Sequence, residues 1–263
     1  EGNVFEALLE GWKHDVRNLW WIIDYNRQSL DSIATEFMFP RVDDVFRTTG
    51  WNVITLKYGK RLQAAFKRRG GDALRQWIDD CPNSLYSALT FKGGASWREH
   101  LRRDLGDTSG FNELLDEHDD EALHELMTNL AGHDMESILE AFDAVRDDRP
   151  HCFIAYTIKG WGLPFAGHKD NHAGIMNPEQ MATYQHSQHI AAGQEWEPFA
   201  GLEFAEDTLR DYLASVPFAQ HVQRQYSSAS VAVPAALDYP RAAHASTQEA
   251  FGRILSEIGK GDS

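Results

Sequence analysis

The fold is decided by Asn18-Leu-Trp-Trp-Ile-Ile-Asp-Tyr-Asn26, a short apolar run without polar alternation. Such a run is typical of a strand that is buried on both faces of a parallel sheet. The segments Trp51-Asn-Val-Ile-Thr-Leu56 and Cys152-Phe-Ile-Ala-Tyr-Thr-Ile158 predict two further strands. Helical patterns precede the first two strands, as an apolar stripe from Phe5 to Val16 and a helix opening at Pro40. This order predicts an α/β fold, a doubly wound parallel sheet flanked by helices.

Composition narrows the class of protein. The chain has 263 residues, 42% hydrophobic and 25% charged, which excludes a disordered chain or a disulfide scaffold. Its two cysteines, Cys81 and Cys152, are far apart, which favours a reducing, cytoplasmic setting. No targeting signal is visible, and no apolar run is long enough to span a bilayer, so we expect no membrane partner. A formal net charge of −15 would argue against nucleic acid as a partner if it were spread evenly over the surface.

The negative charge is concentrated in one segment. Between Asp104 and Asp148 there are 15 acidic residues and one basic residue. Leucines at helical spacing before Gly132 and apolar residues after the capping residue Asp134 predict two surface helices with solvated acidic faces. An acidic docking surface is the alternative interpretation of this segment. His133 lacks the spacing of a metal-binding motif and is interpreted as structural.

Polar residues follow the first and third predicted strands, where ligands bind in open α/β sheets. The loop Asp24-Tyr-Asn26-Arg-Gln28-Ser-Leu-Asp31 offers oxygen donors that suit Mg²⁺, although an ion-free turn has the same composition. The loop from Thr157 to Gly174 contains several glycines, with Lys159 to attract a phosphate. It also carries His168 and His172 as acid-base groups, and an inert surface loop is the alternative.

Four motifs in this order resemble one enzyme family. They are Trp21-Ile-Ile-Asp-Tyr-Asn26-Arg-Gln28-Ser-Leu-Asp31, Thr48-Thr-Gly-Trp51-Asn-Val-Ile54, Trp97-Arg-Glu-His100 and Thr157-Ile-Lys-Gly-Trp-Gly162. Together they resemble homodimeric pyruvate dehydrogenase, the decarboxylating component of the 2-oxo acid dehydrogenase complex. Transketolase is a more distant relative with the same fold.

The resemblance implies a thiamine diphosphate-binding fold and Mg²⁺ as a second cofactor. Asn26 matches the family's side-chain magnesium ligand, and Gln28 matches the residue that gives a main-chain carbonyl, so both belong to the metal and cofactor site. Lys159 is expected near the diphosphate. His172 matches the histidine of the family's active-site loop, and His168 is the alternative for that role.

The resemblance also divides the chain. Residues 1–220 are expected to be the C-terminal part of the diphosphate-binding domain. Residues 221–245, rich in Ala, Ser and Pro, form the expected interdomain linker. Residues 246–263 are expected to start the pyrimidine-binding domain. The family's Gly-Asp-Gly falls before Glu1 and its activating glutamate after Ser263, so we expect the chain alone to be inactive.

The implied activity is oxidative decarboxylation of pyruvate, with transfer of the acetyl group to a lipoyl acceptor. The implied partners are pyruvate, a lipoyl-bearing dihydrolipoamide acetyltransferase and a second copy of the chain in a homodimer. One alternative is transketolase-type ketol transfer between phosphosugars. Another is a non-catalytic acidic docking module.

Overall fold

Parallel strands form the centre of the structure. The computed structural model describes residues 2–29, 32–34, 38–217 and 244–260. The strands among them are β1 (Trp20–Tyr25), β2 (Gln28–Ser29), β3 (Ser32–Ile33), β4 (Asn52–Leu56) and β5 (His151–Tyr156). Strands β1, β5 and β4 lie side by side in that order and are parallel, while β2 and β3 form a small antiparallel ribbon. The three predicted strands are therefore confirmed, and with them the α/β class.

The helices follow the predicted patterns closely. In the described residues they are α1 (Gly2–Lys13), α2 (Met38–Thr48), α3 (Lys60–Phe66), α4 (Gly71–Asp80), α5 (Asn83–Lys92), α6 (Gly94–Leu105), α7 (Phe111–Asp116), α8 (Asp120–Met127), α9 (Met135–Asp143), α10 (Pro178–Ser187), α11 (Glu206–Ser215) and α12 (Thr247–Lys260). Helix α2 begins at Met38, before Pro40. The Asp134 carboxylate accepts a hydrogen bond from the main-chain N–H of Ser137 (3.0 Å) and caps α9 as predicted.

Strand β5 carries the core on both faces of the sheet. Every residue of β5 is buried, and its side chains alternate between two apolar clusters. Cys152 and Ile154 pack with residues of α1 and α2, whereas Phe153 and Ala155 pack with residues of α9. A third and larger cluster joins α3 to α8 and includes the fully buried Trp97. Helices on both faces of a parallel sheet are the arrangement that the sequence predicts.

Strand β1 departs from the prediction of burial on both faces. Its residues alternate, and the side chains of Trp20 and Ile22 are 41% and 58% exposed. Within the described ranges β1 pairs with β5 alone, so β1 is an edge strand and no further strand shields its side chains from solvent. The apolar stripe of α1 is also less buried than predicted, because only Leu8 is enclosed while Phe5, Leu9 and Trp12 are exposed.

The acidic segment lies beside the basic residues that precede it. Carboxylates in or directly after α7, and in α8 and α9, form ion pairs with Lys60, Arg61, Arg68, Arg98 and Arg102. The leucines of α8 are buried as predicted. Much of the local charge is thus neutralised within the fold, which counts against the interpretation of the segment as an acidic docking surface.

The chain divides into two compact units, Glu1–Leu202 and Glu203–Ser263. The predicted linker at 221–245 lies outside the described residues except for its last two positions. The predicted boundaries at 220 and 246 therefore stay predictions. In the described residues, no helix combines the length and the apolar character that a membrane crossing requires.

Candidate active site at the strand ends

A tight turn follows β1 at its carboxyl end. The Asn26 side-chain Oδ1 accepts a hydrogen bond from the main-chain N–H of Gln28 (3.0 Å), and the Asn26 Nδ2 donates to the carboxylate of Asp24 (3.1 Å). Arg27 between them has a left-handed φ of 62°, and its carbonyl accepts from the N–H of Ala34 (2.8 Å). Asn and Asp side chains commonly fold back on the main chain in this way. The turn fixes the two predicted magnesium ligands.

The end of β5 contacts this turn directly. The Thr157 N–H donates to the carbonyl of Tyr25 (3.3 Å), and the Thr157 hydroxyl donates to the Asp24 carboxylate. The Gln28 side-chain amide donates to the carbonyl of Gly167 (3.1 Å), 139 residues further along the chain. The two polar loops predicted from sequence are therefore adjacent in space.

The loop that contains Lys159 is closed by hydrogen bonds to its own main chain. The Lys159 carbonyl accepts from the Gly167 N–H (3.1 Å) and from the side-chain amide of Asn171 (2.8 Å). Gly167 has a φ of 76°, and a Cβ there would lie 3.0 Å from the Ser87 carbonyl and 2.9 Å from a Thr90 methyl. Only glycine allows this close approach of the loop to α5.

The two candidate histidines have different surroundings. His168 packs edge-on against Phe91, with ring centroids 4.7 Å apart, and its Nδ1 accepts from the N–H of Asp170 (3.2 Å). His172 follows Asn171 directly and is exposed. The packed ring of His168 suits a structural role, and the exposed ring of His172 suits contact with another molecule. Asn26, Gln28 and the Lys159 main chain are thus linked through Gly167, and the prediction for His172 stays a prediction.

His133 belongs to the site, which the sequence interpretation missed. Its Nε2 accepts a hydrogen bond from the N–H of Ile158 (2.8 Å), and its ring stacks on Trp161 with centroids 4.6 Å apart. Because an amide N–H only donates, Nε2 must be unprotonated. Burial lowers the pKa of His133, while the nearby Asp24 charge opposes that shift. No local pattern signals this role, since the contact joins residues 25 positions apart.

A cavity of about 670 Å³ opens beside this histidine. Its wall includes His133, Asn129, Ile158 and Trp161. Mixed polar and aromatic walls of this kind, at the ends of parallel strands, are typical of small-molecule sites.

The oxygen groups at the turn fit part of a magnesium site. The Asn26 Oδ1 keeps a second lone pair after accepting from Gln28, and the Asp24 carboxylate lies beside it. The side-chain oxygens of Gln28 and Asn171 are buried without hydrogen-bond partners at the same junction. Mg²⁺ prefers such oxygen ligands. In the described ranges no cluster of three or more His, Cys, Asp or Glu side chains could hold a metal by itself, so these residues provide only part of a site.

The fold and this site define the class. A helix-flanked parallel sheet with oxygen donors at the strand ends is consistent with the α/β thiamine diphosphate-binding fold. Comparison with known proteins gives a sharper likeness, to pyruvate dehydrogenase E1 components, and confirms the resemblance carried by the motifs.

Three of these relatives show the extent of the likeness. The chain is 28% identical over 184 residues to the E1 component of Escherichia coli (strain K12), which is 68% of this chain and 20% of that protein. It is 28% identical over 158 residues to the one from Cupriavidus necator, 59% of this chain and 17% of the relative. It is 26% identical over 154 residues to the one from Corynebacterium glutamicum, which is 57% of this chain and 16% of the relative. The matches span about a fifth or less of these relatives' length. No protein-family model matches the chain.

Proposed function

We propose that the protein carrying this chain uses thiamine diphosphate and Mg²⁺ to decarboxylate pyruvate oxidatively. In this proposal the acetyl group passes to the lipoyl group of a dihydrolipoamide acetyltransferase. The observation that carries the proposal is the hydrogen bond from Gln28 to Gly167, because it holds the turn of Asn26 against the loop of Lys159. The likeness to pyruvate dehydrogenase E1 components supports the same assignment.

Each site residue has a defined task in this proposal. The Asn26 side-chain oxygen and the Gln28 main-chain carbonyl would hold Mg²⁺, and Lys159 would balance the diphosphate charge. His172 would donate or accept protons at the substrate and during transfer to the lipoyl group. When bound, thiamine diphosphate supplies the electron sink for loss of carbon dioxide. The neutral His133 would position Ile158 and so the start of the loop.

The proposal extends to the setting of the protein. The family resemblance supports a homodimer in the cytoplasm, with the active site completed by residues outside positions 1–263. It also supports a domain boundary near residue 220 and a second domain from residue 246. The chain alone would then bind neither cofactor tightly and would show no decarboxylation.

Release of labelled carbon dioxide from carboxyl-labelled pyruvate tests the proposal. With the natural full-length protein we expect release that requires both thiamine diphosphate and Mg²⁺. Asn26→Ala should lower thiamine diphosphate affinity and activity by at least about tenfold, since one oxygen ligand of Mg²⁺ is lost. Asn112→Ala, at an exposed position whose amide contacts Gly106, is the matched control and should keep full activity.

The outcome also separates the alternatives. If the folded protein binds thiamine diphosphate and transfers ketol groups between phosphosugars without releasing carbon dioxide from pyruvate, the transketolase-type alternative replaces the proposal. If it binds neither cofactor, the proposal is wrong and a non-catalytic role takes its place. His172→Ala tests the loop histidine, because acetyl transfer to lipoyl should fall while cofactor affinity is retained.

A further inference from the structure

Arg27 is a buried cation that the proposed chemistry does not use. Its side chain and main chain together are only 5% exposed, although arginine is rarely enclosed without a partner. The guanidinium carbon lies 4.0 Å from the centre of the Tyr86 ring and 5.1 Å from that of Tyr156. These aromatic faces attract the cation but supply no opposite charge.

The backbone of Arg27 is strained to reach this position. A φ of 62° is uncommon for any residue with a Cβ and costs about 1 kcal/mol or more. Such outliers concentrate at functional sites, where the surrounding structure maintains them. The side chains of the neighbouring Asn26 and Gln28 make the hydrogen bonds of the turn and the loop. The side chain of Arg27 instead lies in the interior.

No carboxylate among the described residues forms an ion pair with Arg27, and its buried Nη1 has no hydrogen-bond partner. A buried charge is costly unless it is paired and hydrogen-bonded. The ring of Tyr86 is itself fully enclosed, so burial raises the pKa of its phenol to about 12, and the phenol stays neutral at physiological pH. The described fold therefore leaves one positive charge uncompensated in its interior.

Arg27 lines a cavity of about 420 Å³ between the carboxyl ends of β1 and β5 and the start of α2 and α5. Its polar wall includes Lys57 and Asn83, and its apolar wall includes Phe39 and Ile78. This volume and mixed lining suit a small organic ligand.

Two carboxylates also line the cavity, and both have partners. Asp79 accepts hydrogen bonds from Lys57 and from the Tyr58 hydroxyl, and Asp80 accepts one from the Gln76 amide (2.9 Å). Neither carboxylate lies within the 4.0 Å of an ion pair from the Arg27 guanidinium.

We propose that this cavity binds a small organic carboxylate, with the carboxylate paired to Arg27 and the short carbon chain against Phe39 and Ile78. A planar guanidinium matches a carboxylate in two parallel hydrogen bonds, and the ligand would supply the charge that the described residues lack. The inference does not depend on the proposed thiamine diphosphate chemistry.

Calorimetric titration of the natural full-length protein with sodium acetate tests the proposal, with sodium chloride at equal ionic strength as the blank. We expect saturable acetate binding and a rise in the unfolding temperature that chloride does not give. Arg27→Met keeps the length of the side chain and removes its charge, so acetate affinity should fall by at least about tenfold. Arg61→Met, at an arginine that is 62% exposed, is the matched control and should bind as the unmodified protein does.

Three further results discriminate the assignment. If Arg27→Met does not fold, Arg27→Lys keeps the charge without the planar fork and should bind acetate more weakly. Binding of inorganic phosphate without acetate would overturn the carboxylate assignment. Absence of acetate binding in the unmodified protein would overturn the proposal.

Discussion

Glycine at position 167 is where a single atom decides whether the site assembles. Its carbonyl accepts a hydrogen bond from the Gln28 side chain, and its N–H donates one to the Lys159 carbonyl. Its Cα faces α5, with no space for a Cβ. The contact between the two polar loops therefore depends on the absence of a side chain at this residue.

Gly167→Ala should detach the loop from α5. Alanine has to tolerate a φ of 76° and to displace Thr90, at a combined cost of about 2–4 kcal/mol. Gly162→Ala is the matched control, because its φ of 81° gives the same backbone strain with nothing within 4 Å of the added Cβ. We expect faster proteolysis and faster amide exchange between residues 158 and 172 in the first variant only. Equal effects in both variants would show that the backbone strain, and not the contact of the added Cβ with α5, loosens the loop.

His133 makes the stability of the fold depend on pH. Burial holds its pKa in the folded state below the ordinary 6.5, so the unfolded chain binds the proton more readily. The free energy of unfolding should therefore fall as the pH drops below about 6.5 towards the folded pKa, and should be regained as the pH rises. Protonation also removes the lone pair that accepts from Ile158.

Denaturant unfolding at several pH values measures this dependence. His133→Asn should make the free energy of unfolding depend less steeply on pH between pH 5 and about 7. The same substitution at the exposed His186 is the control. His124 contributes in the same direction, because burial lowers its pKa as well. A slope that is unaffected by the substitution of both His124 and His133 would refute the account.

At the scale of elements, Arg98 joins α6 to α7 and α8. Its guanidinium donates to the Asp120 carboxylate (2.6 Å) and to the carbonyls of His118 (2.6 Å) and Leu115 (3.1 Å). These acceptors lie at the end of α7 and the beginning of α8, where main-chain groups lack helical partners. The arginine of the Trp97-Arg-Glu-His100 motif thus has a structural role.

Arg98→Ala should lower the free energy of unfolding by about 2 kcal/mol, because the side chain is only 20% exposed and its removal takes away three hydrogen bonds. Arg61→Ala removes an ion pair with Glu125 in which both side chains are more than half exposed, and should cost less than about 0.5 kcal/mol. Equilibrium urea unfolding compares the two variants. Similar losses would mean that Arg98 contributes only as a surface charge.

Elements were predictable where the signal is local. The apolar runs of β4 and β5 and the cap of α9 by Asp134 depend on neighbours in sequence, so periodicity and capping rules found them. The exposed face of β1, the stacking of His133 on Trp161 and the burial of Arg27 depend on which distant segments meet. The polar turn of Asn26 and Gln28 at the end of β1 was predictable from the sequence, but its hydrogen bond to Gly167 was not.

At the scale of the whole molecule, the two compact units differ in their packing. The unit Glu1–Leu202 contains all three apolar clusters found in the described residues, whereas α11 has no buried residue. Stability in proteins follows such differences, since buried segments open only with the whole fold.

Hydrogen exchange of the 263-residue chain should therefore be uneven. We expect amides of β5 to exchange slowest, at rates set by global unfolding, and amides of α11 to exchange nearly as fast as in a free peptide. Comparison by mass spectrometry at one pH gives both rates from a single sample. Equal protection of α11 and β5 from exchange would show that α11 is buried by contacts that the described residues do not provide.

The uncovered side of β1 has a practical consequence for anyone who handles this chain. The apolar side chains of Trp20 and Ile22 are partly exposed. Within the described ranges, no strand pairs with the main chain of β1 on the side away from β5. Such an edge recruits strands from other molecules, and Lys, Pro or a bulge usually blocks it in isolated sheets. Concentrated samples should thus turn cloudy at temperatures where circular dichroism is still native, and a lysine at position 22 is the substitution that should keep them clear.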